Sequence, residues 1–436
     1  MKRFGLLVLG LSLMLLIVAC SSQSGETNNT EQSGGEKIRI EYWYVNSTDW
    51  GGKAVEQIIQ NFNSSRNDIE VVGKYIPNQY QGIIQQAQAA IAGNNPPDVS
   101  QMGYNYLTYV NDNLPYTPIE QVASLDEKEP NFIKDNFLPN IIDLSRASDG
   151  TLVGLSYGLS NPVLYYNADL LREVGWDPDK PPQTWEEVIE LSKIVKDKKG
   201  AYGLYIQDPP DNWAQYSLVR SNGGKWLEMR NGKLTAVVDS PEVIEVYQMM
   251  ANMVKEGLAL NAKQEEGEQA FGNGRVAMLY TTIGRMSGIK AKSNFDLRTA
   301  KSPTFGNKPR VIAAGGNSLV VFSKDEKRKR AAWEFIKFLQ SPQSLKLWVE
   351  GTGYLPPREG VAEDPNGLKP FLESNPLMKA ALEQKDSTVQ WANFPGENGL
   401  QAEQVLIEAR EQILSGRSTA EEALKRAAER INQLLP

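Results

Sequence analysis

The sequence predicts an α/β fold with mostly parallel sheets covered by helices. Strand-like and helix-like segments alternate from residue 37 onward, and a second alternation opens near Leu152. At 436 residues the chain is also too long for one compact core and suits two or three domains.

The first strand is read from Ile38, Ile40, Tyr42 and Tyr44, which alternate with Arg39, Glu41 and Trp43 and end at the loop Asn46-Ser47-Thr48-Asp49. A helix follows, because Ala54, Val55, Ile58, Ile59 and Phe62 recur at helical spacing. Ile69 to Tyr75 forms the second strand. Ile83, Ile84, Ala87, Ala90 and Ile91 mark the next helix, which Gly93-Asn94-Asn95-Pro96-Pro97 ends before a short strand from Asp98. Asp98 itself is expected to cap after the two prolines.

In the second alternation, Val163 to Asn167 is a strand. Thr184 caps a helix striped by Trp185, Val188, Ile189, Leu191, Ile194 and Val195, with Glu186 and Glu187 placed to favour the dipole. A Pro-, Asn- and aromatic-rich stretch runs from Gln207 to Trp226. Helical pattern returns over Pro241–Met253, and Gly274–Tyr280 is a further strand. Val311 to Phe322 is strand-like but interrupted by Gly315-Gly316-Asn317. The basic run Lys327-Arg328-Lys329-Arg330 opens a helix and is expected to be a solvated face. The last helix, Thr419–Leu435, presents Ala420, Leu424, Ala427, Ile431 and Leu434 to a core.

At the N-terminus, Lys2 and Arg3 precede an apolar run from Phe4 to Ala19. That run is shorter than the roughly 20 residues a transmembrane helix needs, and it has a signal peptide's flanks. Ile17-Val18-Ala19-Cys20 looks like a bacterial lipobox, so residues 1–19 are expected to be removed and Cys20 to carry the lipid. Residues 20–36 contain no aliphatic or aromatic side chain and read as a flexible tether. Cys20 is the only cysteine, and histidine is absent. Disulfides, Cys/His metal sites and imidazole-dependent catalysis are thereby excluded. A formal charge of −7 gives no reason to expect a nucleic-acid partner.

Several segments in order resemble the extracellular solute-binding proteins of sugar-type ABC importers, the group that includes maltodextrin and glycerol-3-phosphate binders. They are Ile40–Trp43, Ala92–Asp98, Leu164–Asn167 with Pro182–Glu187, Phe271–Met278, Gly315–Leu319, Gly353–Pro356 and Ser415–Thr419. The resemblance implies a periplasmic-binding-protein type II fold, a Venus flytrap of two discontinuous α/β lobes around a ligand cleft. Residues 37–153 and 304–352 would form the N-terminal lobe, and 154–303 and 353–436 the C-terminal lobe. It further implies hinge closure on the ligand, recognition of the closed form by the permease's transmembrane subunits, and a monomer held on the outer face of the cell membrane by its lipid. No metal or cofactor is expected.

Sugar sites pair aromatic platforms with amide, carboxylate and hydroxyl groups, and α/β sheets place ligands beyond strand ends. On that basis the first-lobe candidates are Trp43, Tyr44, Tyr80 and Tyr104. Resemblance to the glycerol-3-phosphate binders adds Ser160, Trp213, Tyr216 and Thr282. Gly316 and Asn317, read as a loop offering backbone N–H groups, Tyr354 and Trp391 complete the set, with Phe394, Trp226 and Tyr280 as weaker candidates. The glycerol-3-phosphate binders carry an arginine before the penultimate helix, whereas Trp391–Gly396 here has no basic residue. A neutral mono- or oligosaccharide is therefore expected, with Arg285 or Arg358 as the remaining sources of charge for a phosphorylated ligand. Three alternatives stand beside this reading: a binder of glycerol-3-phosphate or a glycerophosphodiester, a carboxylate-based glycosidase, which no sequence motif supports, and a sugar sensor or adhesin.

Overall fold

In the computed structural model, residues 37–208 and 211–436 are described, so the expected leader, the tether and Cys20 lie outside the described residues. Ile38–Tyr44 (β1) pairs in parallel with Ile69–Tyr75 (β2), from Ile38 opposite Ile69 to Tyr44 opposite Tyr75. On its other edge β1 pairs in parallel with Val99–Gly103 (β3). The connecting helices Gly52–Ser65 and Gln79–Ala92 bury the apolar stripes that predict them, including Val55, Ile58 and Phe62 in the first and Ile83, Ile84 and Ala87 in the second.

Two later strands complete the first sheet. Leu155–Ser160 (β4) belongs to it, and Pro162–Asn167 (β5) already belongs to a second. Tyr202–Ile206 (β6), Val276–Thr282 (β7) and Leu297–Lys301 (β8) form that second sheet with β5, in the order β8-β5-β7-β6. Gly315–Val321 (β9) returns to the first sheet and sits between β3 and β4, giving β2-β1-β3-β9-β4. The chain thus changes sheets at Asn161, one strand later than the 153/154 boundary read from sequence, because β4 hydrogen-bonds to β9 and not to β5. The two sheets are mixed: β9 runs antiparallel to both of its neighbours, and β5 to β7 and β8.

Gly315-Gly316-Asn317 is not a loop. These residues lie within β9, whose pairing to β4 shifts register between Asn317 and Ser318. Gly316 has φ of 119°, and a Cβ there would stand 1.8 Å from the carbonyl oxygen of Gly158. Only glycine fits such an approach between neighbouring strands.

In the first sheet's core, Tyr42 packs edge-on against Phe335 at 5.1 Å and accepts a hydrogen bond from Gln101 at 2.8 Å. Tyr157, Trp348 and Tyr354 stack in series at 4.5 and 5.1 Å, carrying packing from the core toward the space between the sheets. In the second, the helix Trp185–Lys199 opens on the full capping box of Thr184 and Glu187, and Trp185 meets Tyr280 edge-on at 5.3 Å.

Two local expectations change. Asp98 accepts hydrogen bonds from Glu41 N and Ser323 Oγ and is bound by Arg328, so it is a buried ion-paired carboxylate holding β1 to the later helix and not a simple cap. One member of the basic run is therefore structural. The aromatic stretch after β6 also contains a helix, Trp213–Ser221, buried along most of its length.

Candidate ligand site

The loops and helix starts between the two sheets line a small cavity that opens to solvent, with about 30 Å³ of room for water in this structure. From the first sheet's side come Trp50, Gln79, Tyr80, Gly315 and Gly316, with Ser160 where the chain leaves β4. Facing them are Gln207, Asp211 and Trp213 after β6, Thr282 at the end of β7, Gln264 and Arg285. Tyr354 and Trp391 close it from the later part of the chain.

These side chains are held from behind. Tyr80 Oη accepts from Asn317 Nδ2 at 3.0 Å and lies 3.1 Å from Tyr354 Oη. Burial pushes the Tyr80 hydroxyl up to about 12 and Tyr354 well above its ordinary value, so both stay neutral donors and acceptors. Thr282 Oγ1 donates to Ser160 Oγ at 2.9 Å and accepts from Gly284 N at 3.0 Å. Trp50 Nε1 donates to the Gly284 carbonyl at 2.7 Å, linking the two halves.

Trp213 and Trp391 differ from this pattern. Each ring is buried, at 3% and 2% exposure, yet neither Nε1 has a hydrogen-bond partner among the described residues. Buried donors are nearly always paired, and an unpaired one costs about 1–3 kcal/mol. Trp185, Trp226 and Trp348 also have unpaired indoles but do not line this cavity. Among the described residues, Trp213 and Trp391 are the two with unpaired indoles that also line this cavity.

The charged groups are balanced. Arg285 is bound by Glu268, with Nε 2.5 Å from Oε1 and Nη2 3.0 Å from Oε2, and its guanidinium lies 5.2 Å from the Trp50 ring centre. Asp211 accepts from the Trp213 backbone N–H at 3.0 Å. Burial raises its carboxyl to about 6. Glu403, just outside the cavity, is raised to about 7, first by burial and then by Asp211. Arg410, 2% exposed, stands among them, bound to Asp208 and to Asn212 Oδ1.

A carboxyl whose pKa is raised on folding holds its proton more tightly in the folded state, so its stabilising effect is complete at acid pH. Its cost accrues as pH rises from the ordinary value of 4.5 through about 7 for Glu403. Glu403→Gln should therefore stabilise the protein by about 1–3 kcal/mol above pH 7 and by far less at pH 5. Melting temperatures of both proteins across that range check this; parallel curves would show that Glu403 does not carry the titration.

Of the residues singled out from sequence, Tyr80, Ser160, Trp213, Thr282, Gly316, Tyr354 and Trp391 line this one cavity. Others do not. Strand periodicity points Trp43 away from Tyr42 and Tyr44; its indole binds Glu41 and Lys74 Nζ lies 4.6 Å from its ring centre. Tyr44 packs against Tyr42 and Tyr75. Tyr104 is fully buried and donates to the Gly158 carbonyl at 3.0 Å, while Tyr216 packs on Trp226 at 4.5 Å. Asn317 acts through Tyr80. Tyr280 is core, Phe394 stacks on Trp226, and Arg358 donates to the Gln340 carbonyl away from the cavity. Sequence reading missed Trp50, Gln79, Gln207, Asp211 and Gln264; a signal existed for Gln207 and Asp211, which follow β6, and for Trp50, in the 3-10 turn Thr48–Trp50 that follows β1.

Residues 57–380 match the sequence profile of the family described as bacterial extracellular solute-binding protein. The sn-glycerol-3-phosphate-binding periplasmic protein UgpB of Brucella melitensis is 29% identical over 411 residues, covering 89% of this chain and 92% of that one. Among solved structures, UgpB from Mycobacterium tuberculosis in complex with glycerophosphocholine superposes with a TM-score of 0.79 at 21% identity, over 92% of this chain and 98% of that one. Maltose-bound MalE3 of T. maritima gives 0.78 at 21% identity, over 91% of this chain and all of that one. Both likenesses establish the periplasmic-binding-protein fold.

Proposed function

Because the chain belongs to the bacterial extracellular solute-binding protein family, whose members bind and do not catalyse, we propose that it captures a neutral saccharide between its two sheets and delivers it to an ABC-type permease. The two unpaired indole N–H groups in an aromatic cavity carry this reading. Sugar hydroxyls can accept from both, while Asp211, Gln207 and Gln264 take hydroxyl protons and the rings cover the sugar's C–H faces. Anionic phosphate fits the charges poorly: Asp211 lines the wall and Arg285 is held by Glu268.

We further read the sheet changes at Asn161 and between β8 and β9, together with the segment near Gly353, as the crossings about which the two lobes hinge. Residues 37–153 with 304–352, and 154–303 with 353–436, remain the proposed lobes, with β4 moved to the first. Cys20 after Ile17-Val18-Ala19 is the proposed lipid anchor on the outer face of the membrane.

A second reading, a glycerol-3-phosphate or glycerophosphodiester ligand, draws support from the Brucella relative. A thermal-shift panel separates the two. A ligand at 100 times its dissociation constant adds about 2.7 kcal/mol to the folded state. Neutral saccharides should raise the melting temperature; a rise with glycerol-3-phosphate or its diesters alone would overturn the saccharide assignment. Unchanged saccharide uptake in a deletion strain would point instead to a sensor or adhesin.

A further inference from the structure

Among the described residues, Arg285 is the only cation in the cavity wall and Asp211 the only carboxylate. Glu268 does not line the cavity but stands behind Arg285, its side chain 2% exposed, with Oε1 2.5 Å from Nε and Oε2 3.0 Å from Nη2. Resting on the neutral-saccharide reading, we propose that Glu268 is a positioning residue that sets the charge specificity of the site: it engages Arg285 and so withholds the guanidinium from anionic ligands. A chain without this carboxylate would accept sugars that bear a carboxylate or a phosphate.

A guanidinium recognises an anion best through two parallel N–H groups, and the edge formed by Nε and Nη2 is already taken by Glu268. The Trp50 ring, its centre 5.2 Å from the guanidinium carbon, packs on the same group.

The carboxylate that holds Arg285 is itself fixed in place. Glu268 belongs to the helix Gln264–Gly272, and its Oε1 also accepts from Gln264 Nε2 at 3.2 Å, one turn earlier. The preceding residue, Gly267, lets this helix press onto β6, since an added Cβ there would stand 2.2 Å from the Tyr205 ring. Glu268 therefore cannot swing away from Arg285 without moving the helix.

One carboxylate also serves two cations. Lys292 Nζ lies 3.7 Å from Glu268 Oε2, at the other end of the segment that begins with Arg285. Removing the acid leaves both cations without it, Arg285 at the wall and Lys292 at 26% exposure. Glu265, which is exposed, is the acid whose charge still acts on Arg285. A buried ion pair kept for stability alone can often be exchanged for uncharged groups at little cost. One that neutralises a cation of the binding wall cannot be exchanged without changing what binds.

Calorimetry with neutral saccharides of one to three units, glucuronate, galacturonate and glycerol-3-phosphate tests this. The wild-type protein should favour the neutral compounds. Glu268→Gln keeps the side chain's shape and an oxygen to accept from Gln264. In it, affinity for at least one anion relative to the best neutral saccharide should rise about 10-fold or more, the scale of a hydrogen bond between charged groups. Adding Arg285→Met should abolish that gain. The paired change Glu268→Gln with Lys292→Gln removes one charge of each sign, should show the same gain, and keeps the test decisive where the single variant folds poorly. A merely structural role for Glu268 would lower the melting temperature and leave the anion-to-neutral ratio where it was. An unchanged ratio in both Glu268 variants overturns the inference and leaves the saccharide assignment standing. A gain that survives Arg285→Met also overturns it. If the wild-type protein prefers the anions, or binds no saccharide, the saccharide assignment falls and this inference with it.

Discussion

Changing Trp213 and Trp391 to phenylalanine is expected to weaken saccharide binding by roughly 10- to 100-fold for each ring, while the free protein loses no hydrogen bond. The reason lies in the asymmetry of the two states. In the free protein both indole N–H groups are buried without a partner among the described residues, so removing them relieves a cost. With an acceptor bound, the same groups are paired, and phenylalanine forfeits that gain while keeping a ring to cover the sugar. Truncation to alanine should cost more, because the stacking face goes as well. Trp213 also packs on Gly315, where an added Cβ would stand 2.7 Å from the Trp213 ring, so the phenylalanine variant is the cleaner probe. Affinity by calorimetry and melting temperature of the free protein should be measured together. Unchanged affinity in both variants would remove these rings from the site.

Arg410→Met is expected to lower stability by about 3–5 kcal/mol at pH 8. Arg410 is 2% exposed, binds Asp208 and Asn212, and donates to the Asp211 carbonyl. Its charge also lowers the pKa values of Asp211 and Glu403, which burial has raised to about 6 and about 7. Without the guanidinium those carboxylates face one another in a site shut off from water, which costs most when they are ionised. Raised carboxyl pKa values mean protons taken up on folding, so the penalty should shrink as pH falls through 7 and 6 toward 5. Urea unfolding at pH 8 and pH 5 reads this directly. A loss of equal size at both pH values would assign Arg410's contribution to packing and neutral hydrogen bonds.

Periodicity revealed most elements because each buries one face. Val55, Ile58 and Phe62 cannot fall on one side of anything but a helix, and the capping box at Thr184 is visible as a four-residue pattern. The strand-like run from Val311 was also legible, but not its bulge. Gly315-Gly316-Asn317 reads as a break, since local sequence does not show that Gly316 is required by the carbonyl of Gly158, a residue far back in the chain.

The site divides in the same way. Tyr80, Trp213 and Tyr354 could be chosen from sequence because they follow strands or stand in segments that resemble a known family. Trp43 and Tyr104 satisfied the same criterion and are spent elsewhere, on Lys74 and on the Gly158 carbonyl. A side chain's direction at a strand end depends on which sheet face is already filled, and neighbours distant in sequence fill it.

By itself the sequence determined the α/β class, the order of strands and helices, the absence of histidine and of a second cysteine, and the family whose segments it carries in order. Those properties are local or compositional. The tertiary structure alone decided that β4 belongs with the first sheet, that Trp50, Asp211 and Gln264 share a wall with Tyr354, and that Arg285 is held by Glu268. It also decided which indoles are buried without partners. Each is a contact between residues far apart along the chain, made by the return of β9 and of the closing helices, and no window of local sequence contains both sides of it.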